Sequence, residues 1–246
     1  MPHDILEAYI KQHIKASPDS TIRFSWHGGE PTLLGLDYFQ NIVEIQKRYR
    51  PAEKRIINGI QTNGTLLTEE WCRFFVKHEF SVGLSMDGPK EMHDRYRLTK
   101  QGNPTHQQAL HGYHLLQQHG LTPDILCVVN AHNVEYPKQL YGFFKQLKAR
   151  YIGFLPLVVQ QDDAENGVSP ETVPAEAFGR FLCSIFDEWK DQDIGRITIQ
   201  IFEESIGEVF AFISYLLKQS QDGISVDSSY SLDTSYAVFL DKRREN

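Results

Sequence analysis

The sequence predicts an α/β protein, an open parallel sheet with flanking helices. Two observations carry this. Short apolar segments with strand-like alternation are followed repeatedly by longer segments whose apolar residues recur at helical spacing. Six such strands can be counted, and no stretch of linker composition separates them into a second domain. Strands that are apolar almost throughout, such as 124–129, suit a sheet covered on its faces. The order of elements fits an open or partial (β/α) barrel or a doubly wound sheet. In both, ligands sit at the C-terminal ends of the strands.

The elements follow in turn. Ile5, Leu6, Tyr9, Ile10 and Ile14 share one face of a first helix. Ile22 to Trp26 alternates like a strand and runs into His27-Gly28-Gly29-Glu30-Pro31, a loop by composition. A helix fits from about Leu36 to Arg48, and Pro51 punctuates the chain after it. Arg55 to Gln61 reads as a strand, with the turn residues Thr62-Asn63-Gly64 behind it. Thr68 serves as N-cap to a helix that opens with Glu69 and Glu70. Phe80 to Ser85 is a strand, followed by a turn at Asp87-Gly88-Pro89. His106 to His119 is a helix stopped by Gly120, and Asp124 to Val129 is a strand. Tyr136 to Ala149 is a helix with Pro137 in its first turn, and Tyr151 to Leu157 is a strand. Phe178, Phe181, Leu182, Ile185, Phe186 and Trp189 mark an amphipathic helix, and Arg196 to Phe202 is the last strand. Residues 206–217 are apolar enough for one further helix, and 218–246 read as an irregular tail.

Composition excludes several function classes. Apolar residues make up 41% and charged residues 23%, the balance of a folded globular chain rather than a disordered one. Lys plus Arg is 25 against 32 Asp plus Glu, a net charge of −7, which argues against nucleic acid as a partner. No apolar run reaches the roughly 18 residues of a membrane span. Met1-Pro2-His3-Asp4 begins no secretory signal, so a cytoplasmic location is expected. The three cysteines, Cys72, Cys127 and Cys183, lie 55 and 56 residues apart, which fits neither a C-x-x-C metal pair nor a disulfide framework. Each sits in an apolar stretch, as a small buried hydrophobe does. His111 and His114 share a helix face, but no carboxylate or cysteine of that helix completes a metal site.

The loops after the strands hold the chemistry. In Gly28-Gly29-Glu30-Pro31 the glycines let a backbone approach a ligand, and Glu30 accepts hydrogen bonds from an ammonium group. The same tetrapeptide also reads as a plain tight turn. Gln61 and Asn63 offer amides toward the open end of the sheet, although Asn63-Gly64 equally satisfies turn chemistry. Ser85 ends the third strand with a hydroxyl, and Arg97, twelve residues on, is suited to a carboxylate.

Taken jointly, three stretches are specific: Phe24-Ser25-Trp26-His27-Gly28-Gly29-Glu30-Pro31-Thr32-Leu33, Gln61-Thr62-Asn63-Gly64-Thr65-Leu66 and Val82-Gly83-Leu84-Ser85-Met86-Asp87-Gly88-Pro89. They closely resemble the radical S-adenosylmethionine (SAM) enzymes, and within them the anaerobic sulfatase-maturating branch, which carries a cysteine-rich SPASM extension. Gly167 to Pro174 also looks like that branch. The resemblance implies a partial (β/α)6 radical-SAM barrel missing its first strand, a truncated core over residues 1–203 and a divergent C-terminal helix and tail over 204–246.

By the same resemblance, Gly28, Gly29, Glu30 and Pro31 hold the methionyl amino group of SAM. Ser85 and Arg97 contact SAM, the arginine at its carboxylate, and Val158 lies near the adenosine. His27, Gln61 and Asn63 face the peptide substrate; close relatives usually carry Gln where His27 stands. The family passes an electron from a [4Fe-4S] cluster to SAM. The resulting 5′-deoxyadenosyl radical abstracts hydrogen from a Cys or Ser of an unfolded sulfatase polypeptide, and formylglycine results. The cluster is implied by family only. Its C-x-x-x-C-x-x-C ligands, the SPASM cysteines and the aspartate used as a base are absent from this sequence, and the three cysteines present lie on separate elements. The expectation is a chain that is inactive in radical chemistry as it stands, or a non-catalytic protein that binds SAM or peptide. Its second barrel strand, Ile22 to Trp26, would be an exposed sheet edge.

Overall fold

Six strands form one parallel sheet: β1 (Thr21–Trp26), β2 (Arg55–Thr62), β3 (Ser81–Ser85), β4 (Asp124–Val129), β5 (Tyr151–Pro156) and β6 (Thr198–Ile199). The computed structural model describes residues 1–161 and 167–207. Each strand lies beside its neighbours in sequence, in the order β1-β2-β3-β4-β5-β6. A doubly wound sheet reverses its order at a switch point. This sheet does not, so the open barrel is the right alternative. The flanking helices are α1 (His3–Ala16), α2 (Leu36–Tyr49), α3 (Glu69–Lys77), α4 (Lys90–Tyr96), α5 (His106–Gln118), α6 (Pro137–Gln146) and α7 (Ala175–Gln192). Contacts divide the chain into two units, Met1–Glu203 and Glu204–Asn246; every element named here belongs to the first.

Burial alternates along the strands. Ile22, Phe24, Ile60, Val82, Leu84, Ile125, Cys127, Val129, Ile152 and Phe154 are buried in one core cluster with helix residues such as Ile10, Phe39, Phe75, Leu116, Tyr141, Phe144 and Phe181. Each such aliphatic or aromatic side chain contributes on the order of 1.5–3 kcal/mol. The residues between them, Gln61, Ser85, Leu126 and Val128, are only half-buried. The sheet is therefore fully covered on its helical face and partly open on the other. The apolar run 124–129 reads as covered on both faces in sequence, yet its Leu126 and Val128 line the open side.

Two polar side chains of the core pair with each other. Asn58 of β2 and Gln46 of α2 form a cyclic amide pair, Gln46 Nε2 donating to Asn58 Oδ1 at 2.9 Å and Asn58 Nδ2 to Gln46 Oε1 at 2.8 Å. Trp26 Nε1 adds a donor to the same Asn58 oxygen at 2.9 Å. Each amide replaces the water it loses, so burial carries little net cost.

Three elements differ from the sequence expectation. The last strand spans only Thr198–Ile199 rather than 196–202, and the backbone is helical from Gln200. Helix α4 follows the expected turn at 87–89, over residues where the sequence predicts no element; its seven residues bury just Met92 and His93 and are too few to show a period. Helix α6 stops at Gln146, short of the expected Ala149. Lys148 adopts φ 58°, and Ala149 N donates to Phe144 O while Lys148 N donates to Lys145 O, the Schellman closure. The expected helix over 206–217 and the tail over 218–246 lie outside the described residues, apart from 206–207.

Candidate functional site

Side-chain links tie successive strand ends together at the C-terminal edge of the sheet. The first joins β1 to β2 through Glu30. After Trp26 the chain runs through the exposed His27, Gly28 and Gly29, with Gly28 N–H donating to His27 Nδ1 at 2.8 Å. Pro31, buried, opens a 3-10 turn over Pro31–Leu34, and Glu30 caps it. Glu30 Oε1 accepts from Thr32 N at 3.1 Å, from Thr32 Oγ1 at 2.5 Å and, across the strand ends, from Thr62 Oγ1 at 2.7 Å. Its Oε2 accepts from Asn63 N at 2.7 Å. Asn63 in turn uses its Oδ1 on Thr65, an Asx turn. The Glu30 carboxylate is thus occupied chiefly in bracing two loops.

The second link joins β2 to β3: Gln61 Nε2 donates to Ser85 Oγ at 3.0 Å, on the open side of the sheet. The third joins β3 to β4. The ladder between them ends at Ser85↔Leu126 and Met86 N→Leu126 O. Beyond that point Asp87, 4% exposed, takes over. Its Oδ1 accepts from Val128 N at 2.8 Å, and Arg97 grips both oxygens, Nε at 2.5 Å and Nη2 at 3.1 Å. Such a bidentate pair fixes the plane of the guanidinium. Nη1 and the second Nη2 proton are not spent on Asp87. Asp87 reads in sequence only as a turn residue; its burial is what reveals the role.

His93 of α4 lies behind this pair. Asp87 N can only donate, so His93 Nδ1 accepts from it at 3.3 Å and the proton sits on Nε2. Nε2 then donates to Thr105 Oγ1 at 3.2 Å, and the Thr105 hydroxyl passes its own hydrogen to Arg97 O at 2.7 Å. Burial first, and the Arg97 charge second, push the imidazole down to about 3 from its ordinary 6.5. His106, whose ring centroid is 5.4 Å away, is also lowered, mainly by burial. An unfolded imidazole takes up its proton near 6.5 and the folded one resists it. The stability His93 contributes is therefore complete above about pH 6.5 and is lost as pH falls toward 3, and His106 acts in the same direction. Unfolding free energy should climb with pH across that window, by up to about 1.4 kcal/mol per unit for one ring. His93→Gln, followed by urea titrations from pH 4 to 7, should flatten the climb; an unchanged slope refutes the assignment.

Val158, just beyond β5, is 64% exposed. The cysteines do not converge. Cys72 on α3 and Cys127 on β4 are buried, and burial pushes the first thiol up to about 11 and raises the second. Cys183 is exposed on α7. Among the described residues no group of three His, Cys, Asp or Glu side chains is placed to hold a metal ion. Nor is any helix among them long and apolar enough to cross a membrane.

The family model described as the Radical SAM superfamily matches residues 1–144. The chain belongs to the radical SAM superfamily. This radical SAM chain is 40% identical over 219 residues to a serine-type anaerobic sulfatase-maturating enzyme of Bacteroides thetaiotaomicron, covering 84% of this chain and 53% of that one. It is 31% identical to a cysteine-type anaerobic sulfatase-maturating enzyme of Clostridium novyi, covering 83% and 54%. The chain thus spans about half the length of these relatives. A solved structure of native anSMEcpe with bound AdoMet superposes with a TM-score of 0.78 at 28% identity, covering 85% of this chain and 58% of that one. Another, with bound AdoMet and the Cp18Cys peptide, gives 0.76 at 29% identity, covering 82% and 56%. The parallel sheet with flanking helices is the fold of those structures.

Proposed function

We propose that this radical SAM chain is the SAM- and peptide-binding core of an anaerobic sulfatase-maturating enzyme, whose substrate is a Cys or Ser in an unfolded sulfatase polypeptide. The observation that carries the reading is the series of links at the C-terminal edge of the sheet: Glu30 to Thr62 and Asn63, Gln61 to Ser85, Arg97 to Asp87. They brace the three loops whose motifs match the branch, and relatives with the same fold bind AdoMet.

The donor set suits SAM. The unspent N–H groups of Arg97 and the Ser85 hydroxyl match a carboxylate. Backbone carbonyls of the exposed Gly28 and Gly29, beside the Glu30 brace with Pro31 buried behind it, can accept from the amino group. Val158 offers an apolar contact to the adenosine. His27, Gln61 and Asn63 face the polypeptide. In this family SAM supplies the hydrogen-abstracting group; the chain's own part is to hold and orient it. A [4Fe-4S] cluster does not fit the described residues, because its ligands must converge and these three cysteines sit on separate elements. That mismatch favours a second reading, a chain that binds SAM or peptide without catalysis.

Calorimetry of the purified chain with SAM, and with Cys-x-Pro-x-Arg and Ser-x-Pro-x-Arg peptides, should give heat for SAM and for at least one peptide. Folded protein that binds none of them refutes both readings. Anaerobic iron and sulfide reconstitution should leave far less than one cluster per chain. A triple Cys72→Ala, Cys127→Ala, Cys183→Ala variant should then hold the same iron. A stable four-iron cluster that disappears with those cysteines overturns the argument from their placement.

A further inference from the structure

The stretch Gly167 to Pro174 has no part in the links described above, yet it is firmly held beyond β5. Gln161 N donates to Gly167 O at 3.0 Å, Ser169 N to Val159 O at 2.8 Å and Val173 N to Leu157 O at 3.0 Å. Thr172 Oγ1 accepts from Val159 N at 3.0 Å and donates to Val159 O at 3.3 Å. The same stretch meets the loop after β4, where Ala131 N donates to Glu171 O at 3.0 Å. Two buried asparagines fix that second loop. Asn130 Oδ1 accepts from His132 N at 2.9 Å and from Asn133 N at 3.0 Å, and Asn133 Oδ1 accepts from Asn130 N at 2.8 Å. Asn133 Nδ2 ties the turn back to β4 by donating to Val128 O at 2.9 Å. Between these two loops and the end of α4 lies a pocket of about 500 Å³, lined by Arg95, Tyr96, Ala131, His132, Pro170 and Glu171.

The pocket holds two unlike charges, in different states. Glu171 is half-buried, and among the described residues no cation stands within ion-pair distance of it. A carboxylate that has lost part of its water without gaining a counter-ion is incompletely compensated. Arg95 is exposed at the end of α4 and lies back on its neighbour, its guanidinium 5.6 Å from the Tyr96 ring centroid and its Nε donating to Tyr96 Oη at 3.3 Å. The remaining walls are the Tyr96 and His132 rings and Pro170. Flat rings of this kind suit a guanidinium or an alkylammonium stem, whereas the negative face of an aromatic ring offers nothing to a carboxylate. A cation in contact with Glu171 gains at hydrogen-bond distance, while its repulsion by the solvated Arg95 on a different wall is screened. Both loops are already fixed by their own hydrogen bonds, so little ordering is left to pay on binding.

We propose that this pocket seats a basic side chain of the polypeptide substrate, with Glu171 as its counter-ion. The inference rests on the functional reading above and adds to it which side chain the polypeptide must present. The probes are the better-binding of the two arginine peptides and the same peptide with citrulline in place of arginine, which keeps the shape and removes the charge. In calorimetry on the full chain with SAM present, Glu171→Gln should weaken the arginine peptide about fivefold, the upper end for a partly exposed ion pair, and leave the citrulline peptide within about twofold. SAM affinity and the thermal midpoint should not move. Arg95→Gln should leave the arginine peptide unchanged or bind it up to about twofold more tightly, because it removes a like charge. Equal losses for both peptides in Glu171→Gln would make the residue structural, and no loss for either would remove its role. Weaker binding of the arginine peptide in Arg95→Gln, with none in Glu171→Gln, would mean that the pocket reads an acidic group. Each of these overturns the inference and leaves the functional reading standing. Wild-type protein that binds SAM but no peptide overturns the inference together with the peptide part of that reading.

Discussion

Asp87→Ala should unfold at a markedly lower urea concentration than the wild type, with a loss of about 3 kcal/mol in unfolding free energy and an unchanged denaturant slope. Three donors lose their acceptor at once: Arg97 Nε, Arg97 Nη2 and Val128 N. The Asp87 side chain is 5% exposed and that of Arg97 is 25%, so the stranded guanidinium recovers only part of its hydration. Breaking a buried pair from one side costs about 3–5 kcal/mol, and the lower end fits this partial exposure. The Val128 bond matters separately, because it continues the β3–β4 connection past the last ladder pair. With the guanidinium released, SAM affinity should fall more than tenfold. Asp87→Asn separates charge from shape: its amide nitrogen must face either Val128 N–H or an Arg97 N–H, donor against donor. It should therefore lose most of the same stability. An Asp87→Asn protein with wild-type stability and SAM affinity would show that the pair positions nothing.

Sequence and structure agree where local pattern decides conformation. Strands β1 and β3 are legible because alternate residues are buried and the period survives in the string itself, whereas β4 and β5 are legible as short apolar runs. The same period misleads at Arg196 to Phe202, where Ile197 and Ile199 are buried but the backbone turns helical at Gln200. Helix ends show the limit sharply. Helices α3, α5 and α6 all close with the same pair of bonds, Phe80 N→Phe75 O, Leu121 N→Leu116 O and Ala149 N→Phe144 O being the long ones. Only α5 uses a glycine, Gly120, at the left-handed position; Glu79 and Lys148 hold it in the others, at φ 53° and 58°. Those residues carry no local signal for it, because tertiary packing imposes the turn. The site was legible as loops but not as a network. Thr62 lies 32 residues from Glu30 and Val128 lies 41 from Asp87, and no spacing rule links partners so distant. Hence the sequence suggests a Glu30 open to an ammonium group, whereas the fold spends its carboxylate on bracing.

Glu30→Gln tests that difference directly. If the carboxylate's main task were to receive the SAM amino group, the variant would lose SAM affinity and keep its stability in the absence of ligand. The geometry calls for the opposite order. Oε1 accepts from Thr32 N, Thr32 Oγ1 and Thr62 Oγ1, and Oε2 from Asn63 N. A glutamine must turn its NH2 toward one of these sets, and the Asn63 and Thr32 amide hydrogens cannot reverse to accept it. Hydrogen bonds to a charged acceptor contribute roughly 1.5–3 kcal/mol each, and half-burial of the site moderates the total. Ligand-free Glu30→Gln should therefore lose about 2 kcal/mol of unfolding free energy, with weaker SAM binding following from the loosened loop. Thr62→Val removes the cross-strand donor from the other side. In the double variant the two losses should fall short of adding, by at least about 0.5 kcal/mol, as they must if both act through one bond. Full additivity, or a Glu30→Gln protein as stable as the wild type, would show that the brace between β1 and β2 does not hold the loop and would return the carboxylate to the ligand.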